Sequence, residues 1–272
     1  MKTNTLKLKA IGIAAIVLTA FASTGAIAQS ITTTPHNLTS TGPGPNTIAA
    51  AVTAEICVFC HTPHGGDTSA AVPLWNRALA LPTAYTTYST TNSSSVDGAV
   101  APVGSVSIAC LSCHDGTQAM DTVINAPGTG GYNPIGARMG VDGDWTGSPT
   151  VTGVANLGVD LTNDHPIGIQ YGGGGKTAGA PTAATNDPDF NATGNETINL
   201  TEVWWVDTEA VPNDTRQKTD MQLYTRSVGT IDAGAPQPFV ECASCHDPHS
   251  NNDLFLRVAN DGSAVCLACH NK

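Results

Sequence analysis

The pattern C-x-x-C-H occurs four times in this chain: Cys57-Val58-Phe59-Cys60-His61, Cys110-Leu111-Ser112-Cys113-His114, Cys242-Ala243-Ser244-Cys245-His246 and Cys266-Leu267-Ala268-Cys269-His270. Together the copies use all 8 cysteines. Two thiols three positions apart can form thioethers with the two vinyl groups of one haem, and the histidine after the second cysteine then falls over the iron. A zinc ribbon gives no reason for a histidine after every second cysteine, and a disulfide framework gives no reason for four identical spacings. The residues therefore point to four covalently bound c-type haems, with His61, His114, His246 and His270 as the proximal iron ligands.

Such a chain can borrow apolar bulk from its porphyrins. Only 5% of residues are aromatic, whereas Gly 28 and Pro 17 mark a turn-rich polypeptide. We expect a mostly irregular, loop-rich fold with short helices and a small β-hairpin, wrapped around a four-haem chain and largely unfolded without haem. The hairpin is expected to pair Thr197–Val206, rich in β-branched and aromatic residues, with Gln222–Val228.

The N-terminus reads as a secretory signal. Lys2, Lys7 and Lys9 precede the apolar run Ala10–Phe21, and Ala26-Ile27-Ala28 is a small-residue cleavage site. The apolar run is too short to span a bilayer, which needs about 20 residues. Removal of residues 1–28 leaves 8 of the 11 basic residues against 22 acidic ones, a formal charge of −14, which argues against nucleic acid as a partner. Export suits thioether chemistry, and the expected location is extracellular, with the periplasm or cell surface as the alternative.

Residues 29–272 read as one domain: an extended arm (29–56), a first haem pair (57–114), a loop-rich insert (115–241) and a second haem pair (242–272). C-x-x-C-H-T-P-H at 57–64 and C-x-x-C-H-D-P-H at 242–249 suggest an internal duplication.

Of 8 histidines, four belong to the motifs. His36, His64, His165 and His249 remain, one for the second axial position of each of four irons. Axial partners on one iron have Cα atoms about 13 Å apart, and three residues reach only about 11 Å, so His64 cannot share an iron with His61, nor His249 with His246. The nearest alternative gives His64 to the haem of Cys110/Cys113 and His249 to that of Cys266/Cys269. His165 is then assigned to the haem of Cys57/Cys60 and His36 to that of Cys242/Cys245, although His36 is also close enough in sequence to serve the first haem. Met120, Met139 and Met221 are the competing ligands.

The stretches H-T-P-H, P-L-W-N-R, N-D-H-P-I-G, C-A-S-C-H-D-P-H and C-L-A-C-H-N-K resemble the doubled-haem-motif cytochromes. The order arm, pair, insert, pair looks like the tetrahaem extracellular cytochrome nanowires of the OmcE type. That resemblance implies a continuous chain of haems, identical subunits joined head to tail, and a histidine on the arm, here His36, ligating a haem of the adjacent subunit. The expected function is electron transfer to other redox proteins or extracellular acceptors, not catalysis, because eight histidines on four irons leave no open coordination site. The alternatives are a monomeric shuttle and a small multihaem reductase.

Overall fold

The structure, a computed structural model, describes residues 31–88, 94–128, 131–209, 211–227 and 234–271. The signal segment, Gln29 and the end of the expected hairpin at Val228 lie outside the described residues.

Among the described residues nine strands follow one another: β1 (Thr47–Ile48), β2 (Thr122–Ala126), β3 (Gly131–Arg138), β4 (Trp145–Thr146), β5 (Ile169–Gln170), β6 (Gly194–Ile198), β7 (Thr201–Val206), β8 (Met221–Arg226) and β9 (Gln237–Val240). Three short helices, α1 (Ser107–His114), α2 (Cys242–Cys245) and α3 (Ala264–Cys269), each hold the cysteines of one motif, and the first motif sits on a 3-10 turn at Cys57–Phe59. Two two-stranded antiparallel sheets, β1–β4 and β2–β3, accompany a five-stranded antiparallel sheet in the order β5-β9-β8-β7-β6.

This corrects the expectation of a loop-rich chain with one small hairpin: the protein is β-rich, and a five-stranded sheet is its largest element. Two local features hid the sheet. Residues 197–206 are not one strand, because the chain reverses at Asn199 and Leu200, whose φ values of 49° and 64° form a left-handed two-residue turn. That turn usually carries glycine, and none is present to signal it. In β9, Pro238 pairs with Thr225 although proline normally argues against a sheet interior.

The sheet brings its own apolar core. Trp204, Val206, Met221, Leu223 and Val240 bury one side against Tyr171 and Ala268, and Cys245 and Cys269 pack on the edge of this cluster. Each fully buried large side chain contributes about 1.5–3 kcal/mol. A second cluster joins Trp75, Tyr85, Ile108, Leu111 and Leu161 beside Cys60. A third joins Ile48, Phe59, Met120, Trp145 and Val151 beside Cys60 and Cys113. Apolar packing thus comes up to the motif cysteines from the protein side as well.

Residues 31–56 are not a free arm. Ile48 is fully buried, its N–H donates to Leu38 O at 2.8 Å, and β1 pairs with β4. Among the described residues no helix is long and apolar enough to cross a membrane.

Candidate haem centres

Each motif is a single helical turn. The N–H groups of His61, His246 and His270 donate to the carbonyls of Cys57, Cys242 and Cys266 at 2.8, 3.1 and 2.9 Å. Positions i, i+3 and i+4 share a helix face, so this turn carries both sulfurs and the imidazole to one side, where a porphyrin edge and its iron need them. None of the eight cysteines is joined in a disulfide.

Ring orientation is set by the backbone. His61 Nδ1 lies 2.8 Å from Pro73 O, His114 Nδ1 2.8 Å from Ala155 O, and His246 Nδ1 2.7 Å from Leu254 O. A carbonyl only accepts, so Nδ1 carries the proton and the Nε2 lone pair is left for a metal. His165 Nδ1 makes the same contact with Pro166 O at 3.0 Å, and His36 Nδ1 a longer one of 3.4 Å with Pro248 O. The donor set thus fits haem iron.

Two imidazoles bound trans to one metal, with bonds of about 2 Å, hold their ring centroids about 6 Å apart. Two pairs stand at that distance: His36 with His114 at 6.1 Å, and His61 with His249 at 6.4 Å and 22° between planes. His165 and His270 line a common pocket with Ile169, Phe190 and Val240. These placements differ from the partners that the sequence suggested: the His249 ring stands beside His61, His36 stands beside His114 while also touching Pro248 and Phe255 near the third motif, and His165 shares its pocket with His270. His64 is exposed. Local reach suggested the haem of Cys266/Cys269 for His249, whereas its ring lies beside His61 in the other half of the chain.

Burial lowers the His36 pKa to about 4, with His114 adding to the shift, so the ring is neutral and able to bind iron. Burial, reinforced by His270, also lowers that of His165. His36 stacks on Phe255, centroids 4.1 Å apart and 14° from parallel. The competing methionines are committed elsewhere: Met120 and Met221 are buried in the apolar clusters and Met139 packs against one of them.

The repeat of H-T-P-H and H-D-P-H extends into the backbone. His61 bridges to Trp75 and His246 to Leu256, Asn76 N–H donates to Cys60 O at 2.9 Å, and Arg257 N–H donates to Cys245 O at 2.8 Å. Leu74 and Phe255, at matching places, both have left-handed φ, 55° and 58°. The turn lengths differ, which obscures the match in sequence.

Two charged groups went unrecognised as part of the site. Arg77 is fully buried and donates to Ser112 O, Met120 O and Ala119 O at 2.8–3.0 Å and to Ser112 Oγ at 3.2 Å. Its charge bears on Cys60 and Cys113. Glu241 is also buried; it accepts from Ser107 Oγ at 2.5 Å and from Arg226 at 3.0 Å, while Ser107 Oγ accepts from Cys242 N–H at 2.9 Å. These contacts tie the second motif to the third. Arg77 stood in P-L-W-N-R, but nothing in its spacing marked it as buried.

Residues 237–272 match the family model of the doubled CXXCH motif. That segment comprises β9, α2 and α3 with both C-terminal motifs, and it supports a multihaem c-type cytochrome that transfers electrons through covalently bound haem outside the cytoplasm. The chain matches no curated protein.

Proposed function

We infer that this chain is a single unit carrying four c-type haems, each with two histidine ligands, and that it passes electrons from subunit to subunit along an extracellular filament. The observation that carries the reading is two pairs of neighbouring imidazoles, His36–His114 and His61–His249, whose ring centroids stand near the separation that an iron between them would set. Each haem supplies a one-electron site. The protein's part is to fix the rings through Nδ1, exclude water and hold the charges of Arg77 and Glu241 nearby. With both axial positions filled the chain carries electrons and has no place for a substrate.

In this reading His64 replaces His36 as the ligand given to a neighbouring subunit. His36 lies against His114 of its own chain, whereas His64 is exposed. A heterologous contact of this kind does not close and so propagates. Electron microscopy of His64→Ala and His36→Ala is the test. Filaments from the wild type and from His36→Ala, but none from His64→Ala, are expected; filaments from His64→Ala would overturn the assignment.

A further inference from the structure

We propose that Asp207, Glu209 and Asp220 form a calcium site that closes the mouth of the β7–β8 hairpin. One carboxylate oxygen of each lies within 4.8 Å of the other two. A Ca²⁺ ion bound at about 2.3–2.6 Å places its ligand oxygens at separations up to about 5 Å.

The strand register creates the arrangement. Val206 pairs with Met221 in the last rung of β7–β8, so Asp207 and Asp220 come next on the two strands, facing each other. Like charges directly opposite on an antiparallel pair are destabilising, and Glu209 adds a third. An ordinary hairpin would leave such groups in water. Here Asp220 is fully buried, and its Oδ1 makes no hydrogen bond; Glu209 Oε2 is likewise buried without a partner. A buried polar oxygen without a partner is destabilising, more so when charged.

The other contacts orient the cluster without neutralising it. Asp220 Oδ2 accepts from Gln217 N–H at 2.5 Å. Asp207 accepts from Trp205 Nε1 at 3.2 Å and from the N–H groups of Asn213 and Asp214 at 3.1 and 3.2 Å. Among the described residues no lysine or arginine pairs with the three carboxylates: Arg216 donates to Gln222 and Lys218 pairs with Asp247 at 3.3 Å. Three hard oxygens with no nitrogen or sulfur donor select an alkaline-earth ion over a transition metal, and a loop-borne site favours Ca²⁺ over the octahedral Mg²⁺. The ion would take up the charge of Asp207 and Asp220 and fix the ends of the connecting segment, stiffening β7 and β8 under the apolar cluster that meets Cys245 and Cys269.

The test is a calorimetric titration of Ca²⁺ into the mature, haem-loaded protein after chelator treatment, with thermal unfolding followed in parallel. One Ca²⁺ per chain should bind with a Kd of about 1 mM or tighter, and calcium at 100 times Kd should raise Tm by about 5–10 °C. Glu209→Gln should weaken binding at least tenfold and remove most of the Tm shift; Asp220→Asn should do the same and, without calcium, be no less stable than the wild type. Absence of saturable binding up to 10 mM, or unchanged binding by Glu209→Gln, overturns the proposal.

Discussion

The imidazole of His249 lies 6.4 Å from that of His61, nearly parallel to it, although the two belong to opposite halves of the chain. One iron between them would fasten the C-terminal segment to the N-terminal motif. His249→Ala should therefore produce a high-spin, carbon-monoxide-binding haem at Cys57/Cys60. In a chain already lacking that haem, Cys57→Ala with Cys60→Ala, adding His249→Ala should change nothing further in the spectrum, the signature of two changes acting at one site. A new high-spin signal in that background would assign His249 to another iron.

Arg77 places a fixed positive charge between the first two motifs, where it bears on Cys60 and Cys113. A cation beside a haem favours the reduced state, so Arg77→Met should lower the potentials of these haems in a spectroelectrochemical titration. It should also cost about 3–5 kcal/mol, because buried carbonyls lose their donor. Arg77→Lys keeps the charge and loses the planar fork, so it should retain most of the potential while still lowering stability.

Glu241 responds to pH. Burial is the main cause that raises its pKa from 4.5 to about 7, outweighing Ser107 and Arg226. Between those two values the folded chain binds more protons than the unfolded one, so stability falls as pH rises from about 4.5 to about 7 and stays low above. The full effect is at most about 3 kcal/mol. Glu241→Gln should flatten the dependence of Tm on pH in this window. The ionised carboxylate, one residue from Cys242, should also lower the potential of the haem there, so the wild-type potential should fall across pH 7 and that of Glu241→Gln should not. An unchanged pH profile in the variant would place the titration elsewhere.

The sites were more legible than the fold. C-x-x-C-H is a local rule, a single helical turn whose i, i+3 and i+4 positions need no distant partner, so the proximal histidines and cysteines could be named from spacing alone. Histidines such as His249 and His36 are placed by tertiary contacts, among them the stacking of His36 on Phe255, which spacing along the chain does not encode. The five-stranded sheet was obscured because β5 is only two residues long, β9 contains Pro238, and β6 and β7 reverse without glycine. Burial of Arg77 and Glu241 is a property of the finished packing; neither residue stands in a periodic pattern that would mark it as interior.

The turn between β6 and β7 offers a test of the sheet itself. Leu200 is fully exposed and holds φ at 64°, a left-handed conformation that costs a non-glycine residue about 1–2 kcal/mol. Its side chain contributes no burial in return. Glycine removes the steric cost and adds about 0.5–1 kcal/mol of chain entropy to be lost on folding. Asn199 already occupies the first left-handed position, so Leu200→Gly creates the Asn-Gly pair that suits this hairpin. The variant should be more stable by about 0.5–1 kcal/mol, seen as a Tm higher by about 1–4 °C, with haem spectra unchanged. A lower Tm would mean that residues 194–206 do not reverse at Asn199 and Leu200.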